Sequence, residues 1–135
     1  MNSELLPLAQ AVATARGWDE VTRHVMLAGK TLPAPDSALA IPQNQVAGCQ
    51  SLVYLWNGQA TEKPMTFQGW SDAKIIRGVL AILLEKANAL SSQQILNYDF
   101  ASYLDQIGLS RHLSQSRADG ITQVIGRLRV LAGGS

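Results

Sequence analysis

The chain has 135 residues, 47% of them hydrophobic, which is enough for one ordinary domain with a single core. Its 11 lysine and arginine residues nearly balance its 10 aspartate and glutamate residues, so it lacks the strong positive field typical of proteins that bind nucleic acids or anionic membranes. We therefore expect neither kind of partner, and we expect any partner to be recognised through a particular site.

Two helices are predicted near the start of the chain. Apolar residues recur at helical spacing over residues 5–13 and again over residues 21–28, and Gly17 and Gly29 are plausible stops. The first four residues include no basic residue, and the apolar positions that follow are interrupted by polar ones, unlike a secretory signal. We therefore expect a cytoplasmic protein.

A loop containing prolines leads from the second helix to the only cysteine. Residues 31–44 contain three prolines and no periodic apolar stripe; each proline lacks a backbone donor and disfavours helix at the preceding residue. Cys49 follows directly after Gly48, which accepts a positive φ and can present the next side chain at a loop tip. Because a single cysteine cannot form an internal disulfide, its thiol is free for chemistry.

Two segments with strand character follow, residues 50–56 and residues 65–70, which are rich in aromatic and β-branched residues. Asn57-Gly58 and a polar stretch separate them, so they predict an antiparallel pair. A third short strand is indicated over residues 45–47.

The rest of the chain is predicted to be helical. Ser71 is placed to cap a helix that ends near Asn88, and this helix is apolar on more than one face, so it should be the most buried one. Its apolar run, residues 79–84, is far shorter than the roughly 20 residues that cross a bilayer. It is therefore predicted to be a core helix.

Two short helices and one longer helix complete the prediction. Ser91 and Gln94 fit a capping box that opens the short helices. The last helix carries an apolar stripe over residues 118–131, with Ser114 or Ser116 as its cap. The order of helices, strands and helices predicts a single α+β domain over residues 1–135, with a small antiparallel sheet of about three strands covered by helices.

Cys49 is the candidate site because it combines a reactive group with an unusual local context. The thiolate is the reactive species, and a thiol with an ordinary pKa of about 8.5 is only slightly ionised at neutral pH. Three interpretations remain open: a reactive thiol, a buried cysteine that behaves as a small hydrophobe, and a Cys-dependent transferase or hydrolase with His112 as the base. No metal is expected, because one cysteine and two distant histidines lack the local pairing of a zinc site.

The residues around Cys49 are similar to the SufE/CsdE family of sulfur acceptors for cysteine desulfurases. The similarity is carried by the run P-Q-N-Q-V-A-G-C-Q-S over residues 42–51, and Gln50 resembles the SufE branch. The similarity extends from about Trp18 to Leu131, and further motifs on both sides of this run occur in the family's order. They are Trp18-Asp19-Glu20, Leu32-Pro33, Gly69-Trp70-Ser71-Asp72, Ile76-Arg77-Gly78, and the run from Gly108 to Arg117 with Gly120.

The resemblance implies that Cys49 accepts sulfur as a persulfide, with Gly48, Gln50 and Arg117 in supporting roles. Arg117 occupies the family's Ser-x-Ser-Arg motif. The resemblance implies an accessory protein that is not an enzyme. Such a protein stimulates a desulfurase of the SufS or CsdA type and passes sulfur to an iron–sulfur scaffold complex. It implies no cofactor for this chain, because pyridoxal phosphate belongs to the desulfurase, and relatives suggest a homodimer.

Overall fold

The structure is a computed structural model that describes residues 5–49, 51–57 and 66–133. These residues form six α-helices and a two-stranded antiparallel sheet, so the predicted α+β class is confirmed. The elements in chain order are α1 (Pro7–Thr14), α2 (Trp18–Gly29), β1 (Val53–Asn57), β2 (Phe67–Ser71), α3 (Lys74–Ala87), α4 (Ser92–Asn97), α5 (Phe100–Gln106) and α6 (Gln115–Leu131). Short 3₁₀ turns lie at Pro42–Asn44 and Ser110–His112.

The predicted sheet is smaller than expected. β1 and β2 pair from Val53 opposite Ser71 to Asn57 opposite Phe67, but the third strand is reduced to one antiparallel bridge between Gln45 and Tyr54. The reason is local, because the 3₁₀ turn ends at Asn44 and Gly48 turns the backbone with a positive φ. Too few extended residues remain between them for a ladder.

Side-chain caps were predicted correctly at two helices and wrongly at one. Ser91 and Gln94 form the capping box of α4, and Ser114 caps α6 by accepting a hydrogen bond from the Arg117 amide. Ser71 does not cap α3, which begins at Lys74. It is instead the fully buried last residue of β2, where pairing with β1 holds it in extended backbone.

Helix α3 lies at the centre of the core, as its apolar pattern predicted. Ten of its 14 residues are buried, and it packs against α1, α2, β2 and α6. Gly78 allows the close approach of α2, since a Cβ at this position would overlap the Val25 carbonyl oxygen. No described helix is long and apolar enough to cross a membrane.

Candidate functional site

Cys49 lies in the loop that precedes β1, and its side chain is half-buried against α6. Its Sγ–H donates to the Gly120 carbonyl oxygen at 3.5 Å. The thiol also lines an open cavity of about 340 Å³. The other described residues around this cavity are Ser51, Val53, Ile76, Ser114, Ser116, Arg117 and Gly120. The thiol is therefore neither displayed at a loop tip nor sealed in the core.

Gly48 has the backbone conformation that glycine was expected to adopt here, with φ at 85°. An L-residue rarely adopts this conformation. A Cβ at position 48 would also lie 3.0 Å from Cγ of Gln123 in α6. Gly48 therefore serves two purposes: it turns the chain immediately before Cys49, and it lets the loop lie close against the helix.

The loop is attached to the sheet on both sides of Cys49. Before the cysteine, the Val46 amide donates to the Val53 carbonyl oxygen at 2.9 Å. After it, the Leu52 amide donates to Oδ1 of Asp72 at 3.2 Å, and the Asp72 amide donates to the Leu52 carbonyl oxygen at 3.3 Å. These bonds join the two ends of the loop to the start of β1 and the end of β2.

The loop also rests on one face of α6, and this support was not anticipated from the sequence. Gly120 accepts the bond from the thiol, Gln123 lies beside Gly48, and the Arg127 guanidinium donates to backbone carbonyls of the loop. Spacings of three and four residues place these positions on one side of a helix. Only the apolar stripe of α6 was visible in the sequence, because a contact between a guanidinium and a distant carbonyl leaves no local pattern.

Arg117 lies at the same cavity as Cys49, although the two residues are 68 positions apart in the chain. It follows Ser114 in the first turn of α6 and is the only charged residue among the described residues around the cavity. The structure thus brings together Cys49, Gly48 and Arg117. Gln50, the fourth predicted site residue, lies outside the described residues.

Burial raises the pKa of the Cys49 thiol above its ordinary value. Desolvation disfavours the thiolate, and the Arg117 cation on the cavity wall does not reverse the direction. The resting side chain is therefore a protonated thiol at neutral pH, consistent with its role as a hydrogen-bond donor to Gly120. In this conformation the surroundings of Cys49 favour the un-ionised thiol.

Neither histidine forms a hydrogen bond with Cys49 in the described structure. The ring of His112 lies against Trp18 with centroids 4.8 Å apart, beside a different cavity from that of Cys49. His24 contacts Arg23 at 3.4 Å. The geometry of a Cys–His nucleophile pair is not formed, and within residues 5–49, 51–57 and 66–133 no group of three or more potential ligands could hold a metal ion.

The fold and site together define a small α+β domain that keeps one free thiol on a loop beside a cavity. The family model described as "SufE: Fe-S metabolism associated domain" matches residues 7–132. The chain is 36% identical over 120 residues to the uncharacterized SufE-like protein R01000 of Rhizobium meliloti (strain 1021), an alignment that covers 87% of this chain and 86% of that protein. The chain therefore belongs to the SufE family, and the resemblance found in the sequence is confirmed.

A solved structure shows the same fold. The solution structure of a hypothetical protein from Thermus thermophilus has a TM-score of 0.72 and covers 96% of both chains. Its sequence identity is 13%, so the likeness concerns the architecture alone. Family membership associates this chain with iron–sulfur metabolism.

Proposed function

We propose that this protein is a sulfur carrier: Cys49 accepts persulfide sulfur from a cysteine desulfurase and passes it on for iron–sulfur cluster assembly. The observation that carries the proposal is the placement of the chain's single thiol on a loop beside an open cavity. A structural cysteine would be sealed among apolar side chains. Membership of the SufE family supports the same conclusion.

The transfer is a thiol–persulfide exchange. The Cys49 thiolate attacks the outer sulfur of the persulfide on the desulfurase, a new S–S bond forms on Cys49, and the S–S bond of the donor breaks. The desulfurase cysteine leaves as a thiolate and takes up the proton that Cys49 lost. The exchange needs no external oxidant or reductant, because the outer sulfur moves from one thiol to another. The cavity beside Sγ, about 340 Å³, has room for one additional sulfur atom.

Burial raises the pKa of the resting thiol, so we infer that Cys49 moves out of the cavity before it attacks. The thiolate forms more readily once Cys49 leaves the cavity, because its desolvation is then relieved. When the loop extends towards the desulfurase, the Cys49 thiol can reach the persulfide and can also ionise more easily. On return to the cavity, the persulfide is shielded from bulk oxidants and reductants.

The protein then acts as an accessory to an enzyme and has no turnover of its own. It stimulates a desulfurase of the SufS or CsdA type because removing the sulfur frees that enzyme's cysteine for another cycle. Pyridoxal phosphate belongs to the desulfurase, and an iron–sulfur scaffold complex receives the sulfur. We place this transfer in the cytoplasm, where thiols remain reduced.

Intact-mass measurement tests the proposal directly. The protein is incubated with a desulfurase and cysteine, desalted without reductant and weighed. We expect the mass of one added sulfur atom in the wild type, its removal by dithiothreitol, and no gain in a folded Cys49→Ser variant. An unmodified wild-type protein in a reaction where the desulfurase releases alanine would contradict the proposal.

A further inference from the structure

A second cavity, of about 270 Å³, lies where α2 meets the first turn of α3. The described residues that line it are four cations and two apolar residues: Arg23, Met26, Leu27, Lys30, Lys74 and Arg77. The four residues from α2 follow the spacing i, i+3, i+4 and i+7, so they lie along one side of that helix. We call this cavity the basic groove, and the chemistry proposed for Cys49 involves none of its residues.

The basic groove exposes two adjacent apolar side chains to solvent. Met26 is 37% exposed and Leu27 is 43% exposed, whereas Val25 and Ala28 on the same helix are buried in the core. Single exposed apolar residues are common on protein surfaces, but a neighbouring pair within a cavity is typical of an interaction site. Apolar groups of a partner would remove this pair from water, which is favourable.

The charge of the basic groove has one sign. Four of the chain's 11 lysine and arginine residues line it, although the net charge of the whole chain is only +1. Among the described residues, no carboxylate lines the groove and none of its four cations forms a salt bridge. The nearest acidic residues in the sequence are Glu20 and Asp72, and the Asp72 carboxylate already accepts from the Leu52 amide. The groove therefore attracts carboxylates.

The first turn of α3 reinforces this preference for negative charge. It contains no acidic residue, and no side chain caps it. The amides at the start of a helix carry partial positive charge, so cations are disfavoured there. Lys74 and Arg77 nevertheless lie in this turn. Carboxylates from a partner would offset both the helix end and the two cations.

One cation of the basic groove is held in place before any partner binds. Nε of Arg77 donates to the Ser71 carbonyl oxygen at 2.6 Å, and the guanidinium lies over the Trp70 ring, 4.6 Å from its centroid. A guanidinium has five N–H donors in one plane, so donors remain for a carboxylate. Because Arg77 is already ordered, it loses less side-chain entropy on binding than a free side chain would.

The basic groove and the cavity of Cys49 lie at the same turn of α3. Ile76 lines the cavity of Cys49, whereas Lys74 and Arg77 line the groove. An α-helix with its side chains is about 10 Å across. A partner segment in the groove is therefore roughly one helix diameter from the cavity that holds the thiol.

We propose that the basic groove is a docking site for an acidic segment of a partner protein, with carboxylates on both sides of one or two apolar residues. The apolar residues cover Met26 and Leu27, and the carboxylates pair with the four cations. A peptide suits the groove better than a nucleic acid, because its described lining has no aromatic side chain on which a base could stack. Any use of this site in sulfur transfer rests on the proposed function, but the site itself is tested without a desulfurase.

Nuclear magnetic resonance titration of the ¹⁵N-labelled whole protein tests the proposal. The probe is the peptide EELLEE with both ends blocked, and we expect saturable shifts of amides in residues 23–30 and 74–77. The peptide QQLLQQ lacks the charges and EESSEE lacks the apolar side chains, so each should bind about tenfold more weakly. Raising the salt concentration from about 0.05 M to about 0.5 M should weaken the binding of EELLEE, because exposed charges are screened.

Charge reversal locates the site on the protein. Lys30 and Lys74 are exposed, so Lys30→Glu and Lys74→Glu should fold normally and each bind EELLEE about tenfold more weakly. Arg16→Glu is the matched control, since Arg16 is exposed before α2 begins and lines neither cavity. With wild-type unfolding midpoints confirmed, the control should bind EELLEE with the wild-type affinity.

A Met26→Ser variant separates a peptide site from a simple anion site. It should weaken the binding of EELLEE about threefold and leave that of EESSEE unchanged. Inorganic phosphate that binds the groove as tightly as EELLEE would overturn the proposal, and so would tighter binding of a single-stranded oligonucleotide. Equal binding of EELLEE and QQLLQQ, or shifts scattered over the surface, would do the same.

The result is independent of whether Cys49 accepts sulfur. A Cys49→Ser protein should bind EELLEE with the wild-type affinity, because Cys49 does not line the groove. A protein that gains no sulfur but binds EELLEE at the groove would contradict the proposed function alone. A protein that gains sulfur but does not bind EELLEE would overturn the docking site alone.

Discussion

At the scale of the residue, Cys49 combines a nucleophilic group with surroundings that suppress its nucleophilicity. The thiol is desolvated and donates to Gly120, so the resting protein holds it in the protonated form. Arg117 lies at the same cavity without reversing that preference. This arrangement suits the proposed carrier role, since an un-ionised thiol is protected from adventitious oxidation.

The raised pKa of Cys49 predicts two pH effects. Iodoacetamide alkylation of the folded protein should have a midpoint above that of the same protein unfolded in urea. Because the folded state binds the thiol proton more tightly, the free energy of unfolding should fall as the pH rises from about 8.5, the unfolded value, towards the folded pKa.

Urea unfolding at neutral pH and at pH values spanning this window tests the second effect. The fall that belongs to Cys49 should be absent in Cys49→Ser, which serves as the control. A folded-state midpoint equal to or below the unfolded one would show that the cavity does not suppress ionisation.

At the scale of the element, the crossing of α2 and α3 fixes the position of one cavity wall. Gly78 brings the two helix backbones together at Val25, and Ile76, two residues earlier on α3, lines the cavity of Cys49. α6 supplies another part of the wall through Gly120 and Arg117. Helix packing thus determines the shape of the space beside the thiol.

Replacing Gly78 by alanine should force α2 and α3 apart. The added Cβ would overlap the Val25 carbonyl oxygen, and backbone cannot yield as a flexible side chain does. We expect a loss of about 1–3 kcal/mol or more in the free energy of unfolding, measured by urea titration. Gly126→Ala is the control: Gly126 is exposed on α6 with nothing within 4 Å of the added Cβ. That variant should gain up to about 1 kcal/mol, and similar losses in both variants would contradict the argument.

At the scale of the whole molecule, one core connects the beginning and the end of the described chain. Buried residues from Ala9 in α1 to Ala132 after α6 belong to a single hydrophobic cluster. Two polar contacts reinforce the attachment of α1: the Tyr103 hydroxyl accepts from the Leu6 amide, and the Glu85 carboxylate accepts from the Leu8 amide. The protein should therefore unfold as one unit.

Leu80→Ala tests this cooperativity. Leu80 is fully buried at the middle of α3, so its truncation leaves a cavity and should cost about 2–5 kcal/mol. Far-ultraviolet circular dichroism and tryptophan fluorescence should report the same single transition at a lower urea concentration than in wild type. Two separated transitions would contradict the single domain predicted for residues 1–135.

The sequence predicted those features whose physical causes are local. The capping box of Ser91 and Gln94, the buried character of α3 and the positive φ of Gly48 each depend on residues within a few positions of one another. The errors arose where tertiary structure competed with a local signal. Ser71 has the chemistry of a cap, but pairing with Val53 holds it in the sheet.

By itself, the sequence determined the class of fold and the family and singled out Cys49 as the candidate site residue, because periodicity, caps and a contiguous motif are all encoded locally. Only the tertiary structure decided what surrounds that residue. Cys49 meets Gly120 across 71 positions, and Arg127 reaches Gln43 across 84. Such contacts depend on how α6 packs against the loop and the sheet, and the free energy of that packing is shared by the whole core. The resting state of the thiol is therefore a property of the folded molecule.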